Sequence, residues 1–158
     1  MRCQYFAPVG ACAEAEASAE AVVNIKTGPR ALDDGALDYF VERNGLRYAG
    51  SHLIIDLWGA HHLDDVALVE RTLRRAVVEA GATLLHVHFH KFSPNGGISG
   101  VVVLAESHIS IHTWPERGYA AIDVFMCGGA EPHKVVPILR NAFQTERVVV
   151  NEQMRGII

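Results

Sequence analysis

Over residues 83–127 one strand-length run follows another, joined by connections too short for a chain to cross over and pair in parallel. That spacing constrains the fold more than any other feature, because it dictates an antiparallel sheet. Residues 83–92 alternate, with Leu85, Val87 and Phe89 on one side and His86, His88, His90 and Phe92 on the other. Pro94-Asn-Gly-Gly97 reads as a loop. Residues 101–104 are apolar throughout, as in a buried strand. Ile109 and Ile111 then alternate with His108, Ser110 and His112, and residues 115–118 turn the chain. Residues 119–127 form another strand, with Asp123, Phe125 and Cys127 on a shared face. Residues 52–58 and 147–150 read as strands that precede and follow this group.

Two segments carry the helical period instead. Asp64 and Asp65 cap the first, and Leu63, Val66, Leu73, Val77 and Ala80 form its apolar stripe up to Gly81. Pro132 opens the second, whose stripe is Val135, Val136, Leu139, Ala142 and Phe143. Two main helices on one face of an antiparallel sheet make an α+β chain, a two-layer α/β sandwich. Upstream, residues 1 to about 30 are rich in Ala and Glu and read as a loosely attached segment. Residues 32–43 read as a short helix stopped by Asn44-Gly45. The expected division is a partly ordered N-terminal extension over residues 1–45 and a folded domain over residues 46–158.

Composition narrows the function classes. The formal net charge is −4, from 18 acidic and 14 basic residues, and a phosphate-binding surface needs a basic excess, so no nucleic-acid partner is expected. No apolar run reaches the roughly 18 residues of a membrane span. Glu14, Glu16 and Glu20 interrupt any secretory leader, so the expected location is the cytoplasm. Cys3, Cys12 and Cys127 form no CxxC pair, which argues against a disulfide framework or a cysteine zinc site.

The chemistry is concentrated in residues 99–127, where serines lie close to histidines and Cys127 follows. Such a set could serve a hydrolase, although the G-x-S-x-G elbow is missing. The longer motifs are more specific. Glu106-Ser107-His108, Ile111-His112-Thr113-Trp114-Pro115-Glu116, Gly118-Tyr119-Ala120-Ala121-Ile122-Asp123 and Cys127-Gly128 together resemble the bacterial S-adenosylmethionine decarboxylase proenzyme family. The Gly-x-His-Leu start at Gly50 to Leu53 and the Phe89-His-Lys-Phe92 strand extend the likeness over roughly residues 50–155.

That resemblance implies a self-processing enzyme. The Ser107 hydroxyl attacks the Glu106 carbonyl, the ester breaks by elimination to leave dehydroalanine on the new N-terminus, and hydrolysis turns that residue into a pyruvoyl group with release of ammonia. Residues 1–106 become the β chain and 107–158 the α chain. A decarboxylase needs an electron sink that side chains lack, and a carbonyl that condenses with the substrate amine supplies one. By position the resemblance makes Ser107, His112 and Cys127 catalytic, and Glu106, Ser107, Ser99 and His112 the processing residues. Cys127 would return a proton to the substrate carbon, Glu116 would hold the ribose, and Phe92 would face the sulfonium. It also implies a homodimer with its sites at the interface, and a product that feeds spermidine synthesis. The same chemistry could act on ornithine or arginine. Two departures stand out: the first 40 or so residues are extra, and the Asn95-Gly96-Gly97 loop is longer than in many relatives.

His86, His88 and His90 raise the separate possibility of a histidine-rich metal-binding module. Alternate side chains on a strand lie about 7 Å apart, which rarely closes on one ion. No metal is therefore expected, and the three read as a polar strand face.

Overall fold

The computed structural model describes residues 30–31 and 37–158. Its elements are β1 (Arg30–Ala31), β2 (Leu37–Asp38), β3 (Val41–Arg43), β4 (Leu46–Tyr48), β5 (Gly50–Trp58), α1 (Val66–Glu79), β6 (Leu84–Lys91), β7 (Ile98–Leu104), β8 (Ser107–Trp114), β9 (Tyr119–Cys127), α2 (Val135–Ala142) and β10 (Arg147–Arg155). Six strands form one sheet in the order β10-β5-β9-β8-β7-β6, and every neighbouring pair is antiparallel. The helices α1 and α2 pack on one face, so the two-layer sandwich expected from the spacing is the observed architecture.

Local sequence explains where each element begins and ends. The Asp65 carboxylate accepts the Leu68 N–H at 2.9 Å and caps α1. Gly81, at φ 73°, takes the left-handed conformation that closes the helix. A short 3₁₀ turn, Pro132–Lys134, leads into α2. On the core face of the sheet lie Leu53, Ile55 and Leu57 from β5, Ile122, Val124 and Met126 from β9, Ile109 and Ile111 from β8, and Val102 and Leu104 from β7. They meet Val69, Leu73, Ala76 and Val77 of α1, together with Val135, Leu139 and the adjoining Phe143 of α2.

Four expectations change. The helix read over residues 32–43 is not formed in its described part: β3 and β4 make a hairpin around Asn44-Gly45, whose φ values of 52° and 77° are those of a primed two-residue turn. Asn-Gly is therefore a hairpin signal here, not a helix stop, and the boundary expected between residues 45 and 46 falls inside this hairpin. The rest of the expected extension, residues 1–29 and 32–36, lies outside the described residues. In β6 the register shifts between Leu84 and His86, so Leu84 packs inward and Leu85 is exposed, because the bulge advances the alternation by one residue. The third strand of the run starts at Ile98, not Val101, and Val103 is exposed on the uncovered face rather than buried. The last strand runs on to Arg155, well past Val150.

Among the described residues, no element covers the face opposite the helices. Ile54, Trp58, Val103 and Trp114 are exposed there, and Tyr119 is stacked between Trp58 and Trp114 at ring separations of 4.5 and 5.3 Å. The Tyr119 hydroxyl donates to Asp56 at 2.6 Å, and that bond, with burial second, pushes the phenol up to about 12. Truncating Phe143, fully buried between α2 and the sheet, should test how far the covered face carries the fold. Phe143→Ala should lower the unfolding free energy by about 3–5 kcal/mol. The measurement is a urea titration in which the midpoint falls while the slope is kept; a loss below about 1 kcal/mol would mean that α2 adds little to the core.

Candidate active site

The strands β7 and β8 are joined by the shortest kind of hairpin connection. Leu104 pairs with Ser107, leaving Ala105 and Glu106 as the turn. Glu106 has φ 58°, a left-handed conformation that costs a residue with a side chain roughly 1–2 kcal/mol. Ala105 N–H donates to the Thr83 carbonyl and fixes the turn to the start of β6. The Glu106–Ser107 peptide bond therefore sits at a strained corner between two rigid strands.

Ser107 is only 8% exposed. Its Oγ accepts the backbone N–H of Cys127 at 3.2 Å, which locks the oxygen while leaving its own hydrogen free. Leu104, Glu106, Ser107, His108, Phe125 and Arg155 line a cleft of about 500 Å³ at this corner. Cys127 ends β9 directly opposite Gly50 of β5. A Cβ on Gly50 would stand 2.5 Å from the Met126 carbonyl oxygen and 3.0 Å from Cys127 Sγ, so only glycine leaves the thiol its place. Burial, and behind it the Glu106 carboxylate, push the Cys127 thiol above its ordinary pKa. It is thus held as a neutral S–H.

The other residues singled out in the sequence lie toward the opposite end of β8, where His112 is on the open face whereas Ser107 shares the parity of the buried Ile109 and Ile111. Ser99 and His112 are cross-strand partners, with Ser99 Oγ 2.9 Å from His112 Nδ1. Phe92 follows β6, half exposed and edge-on to His90 at 4.6 Å, and Glu116 lies in the turn after β8. At about 3.4 Å per residue, roughly 17 Å of strand separates His112 from Ser107. One chain therefore brings Ser107, Glu106 and Cys127 together, and brings Ser99 and His112 together, but does not join the two groups. His86 and His88 point outward along the edge strand, and no cluster of three or more His, Cys, Asp or Glu side chains among the described residues is close enough to hold a metal.

The comparisons decide the family. A family model described as S-adenosylmethionine decarboxylase matches residues 51–156. The chain belongs to the S-adenosylmethionine decarboxylase family. It is 51% identical to an S-adenosylmethionine decarboxylase proenzyme of Methanococcus vannielii, over 72% of this chain and 94% of the relative. It is 43% identical to one of Thermomicrobium roseum, over 72% and 98%. The crystal structure of the adenosylmethionine decarboxylase from Aquifex aeolicus superposes with a TM-score of 0.62 at 35% identity, covering 70% of this chain and 93% of that one. The resemblance read from the motifs is that of the family itself.

Sequence reading missed four members of the corner. Gly50 and His52 were quoted only as the start of a motif, Phe125 only as a strand neighbour of Cys127, and Arg155 fell beyond the strand's expected end. In the Ser107→Ala chain, alkylation of Cys127 by iodoacetamide should rise with pH at an inflection above that of an exposed cysteine, because a raised pKa keeps the unreactive thiol form to higher pH. Adding Glu106→Gln should bring the inflection down only in part, since burial is the larger cause. Peptide mass mapping at a series of pH values gives both numbers; an inflection at the ordinary thiol value would mean that the site is open to water.

Proposed function

We propose that this protein is a self-cleaving, pyruvoyl-dependent decarboxylase of S-adenosylmethionine that works as a homodimer. The observation that carries this reading is the corner itself: a peptide bond strained at Glu106, a serine oxygen fixed beside it, a protonated thiol and a cleft. Ser107 Oγ forms a bond to the Glu106 carbonyl carbon, the amide C–N bond breaks, and the hydroxyl proton passes to the amide nitrogen. Elimination from residue 107 then needs a base for its Cα proton. The corner fits the group that results, because residue 107 faces the cleft and has a proton donor beside it. Once formed, the pyruvoyl carbonyl supplies the electron sink that loss of carbon dioxide requires. Cys127 holds the proton that the substrate carbon receives afterwards.

The base is His112, steadied by Ser99, and it comes from the partner. A two-fold axis through the bare sheet face lays the His112 end of one protomer over the Ser107 end of the other. The same pairing covers Ile54, Trp58, Val103 and Trp114 and delivers the partner's Phe92 and Glu116. The Phe92 ring then faces the sulfonium, a cation–π contact, and the Glu116 carboxylate accepts the ribose hydroxyls. A thiol that must stay reduced suits the cytoplasm.

Co-expression of two dead variants tests this arrangement. Neither Ser107→Ala nor His112→Ala alone should yield two chains. In a mixed dimer, the intact Ser107 of the His112→Ala chain meets the intact His112 of its partner. That chain should be cut between Glu106 and Ser107, visible by intact mass when the two carry different tags. If the mixture stays whole, His112 does not act across the interface. Carbon dioxide release from S-adenosylmethionine, with ornithine and arginine as controls, reads the substrate.

A further inference from the structure

Among the described residues, Arg155 is the one arginine or lysine lining the cleft at Ser107, and the processing chemistry gives it no task. Its position is fixed: its carbonyl accepts the Ala49 N–H at 2.8 Å, and it lies in register with Gly50, which in turn faces Cys127. Arginine, glycine and cysteine thus form one row across three strands on the open face. Gly50 puts no side chain of its own between the guanidinium and the thiol, which packs against it. Neighbouring strands are about 4.8 Å apart, so the row spans roughly 10 Å, the scale of an amino-acid head group with its two flanking contacts.

A chain of polar groups stands behind the guanidinium. Arg155 Nη1 lies 3.3 Å from His52 Nδ1. Arginine only donates, so Nδ1 accepts and the ring hydrogen is on Nε2. That nitrogen is buried, 3.5 Å from Asp123 Oδ1, too far for a firm hydrogen bond, and has no other acceptor among the described residues. Asp123 Oδ2 in turn accepts from Ser110 Oγ at 3.0 Å. His52 is also wedged edge-on between Phe125 and His108, with ring centroids 5.9 and 6.2 Å away. The arginine is therefore oriented by a histidine that is itself packed and pointed.

We infer that Arg155 binds the α-carboxylate of the substrate, with His52 as its positioning residue. This rests on the reading of Ser107 as the processed residue. A substrate that reacts through its α-amine must bring its α-carboxylate, carried on the same carbon, into this cleft. The guanidinium is the fork that matches a carboxylate. It places the departing group on the Arg155 side of the carbon and leaves the Cys127 side for the incoming proton. The competing assignment is that Arg155 neutralises the carboxylates of Glu106 at the cut end of the β chain.

Processed protein whose keto group has been reduced with borohydride allows binding to be measured without turnover. Arg155→Met should still split into two chains on a denaturing gel. By calorimetry its Kd for S-adenosylmethionine should rise at least about tenfold, as for loss of a charge-assisted pair. Its Kd for the decarboxylated product, which has no carboxylate, should stay within about twofold. Arg155→Lys should recover part of the loss, since it keeps the charge without the fork. His52→Leu should weaken S-adenosylmethionine alone, by less than Arg155→Met, and His52→Asn, which keeps an acceptor, should restore it. Equal weakening of both ligands would overturn the inference in favour of the Glu106 end, and no weakening of either would overturn it outright. An Arg155→Met chain that stays whole would assign the arginine to processing instead, whereas a wild-type chain that stays whole would overturn the reading of Ser107 as well.

Discussion

A sheet has two faces, and here the helices α1 and α2 cover one. The rest of the molecule depends on that asymmetry. The covered face supplies the apolar burial that makes the fold stable, through residues such as Leu53, Leu73, Ile122 and Phe143, each removed from water almost entirely. The bare face is released from packing duty and can carry histidines, carboxylates, a thiol and a hydroxyl. Its exposed Trp58, Trp114 and Ile54 form an apolar surface of the kind that another protein covers. Burial on one side and reactivity on the other are consequences of the same alternation along β5, β8 and β9.

Antiparallel register then fixes which of those groups can meet. The short turn at Ala105-Glu106 puts Ser107 at the first position of β8, and β9 runs back to end at Cys127 beside it. Ser107 and Cys127 are far apart in the chain and meet through the Cys127 N–H and the Ser107 oxygen, without any loop to position them. Rigid strands hold the corner, and on the proposed reading they keep the strain at Glu106 next to the bond to be cut. The same rigidity keeps His112 away. No rotamer change spans roughly 17 Å of strand, so on the proposed roles His112 would have to reach Ser107 from a second chain.

The architecture was legible in the sequence because two periodicities alternate cleanly, and short connections leave antiparallel pairing as the simple solution. The places that misread share a cause. Asn44-Gly45 stops a helix and also turns a hairpin, and the few residues before it are too short to show a period. Leu85 was placed on the side of Val87 and Phe89 because strict alternation cannot anticipate a bulge. Arg155 was missed because Asn151, Glu152 and Gln153 look like a polar tail, whereas β10 is an edge strand with weaker demands on its side chains. Ser107 and Cys127 were legible as residues of a family motif, but the split of the site into two ends was not. Sequence spacing tells which residues share a face and says nothing about how far apart on it they are needed.

The uncut chain bears on how the finished site works. In it, Glu106 does two things at once: it holds the strained turn, and its charge adds to burial in keeping Cys127 protonated. On the proposed reading, cutting the bond after Glu106 would relieve the left-handed conformation, since the residue would become a free chain end. It also adds a second carboxylate to that end. If the end stays in the cleft, the added charge pushes the thiol pKa higher still; if it moves away, burial remains, and burial is the larger cause. Either way burial still pushes the thiol pKa up. On the proposed reading, processing would therefore dismantle the corner without disarming Cys127, because the group that strains the bond is the smaller contributor to the raised pKa.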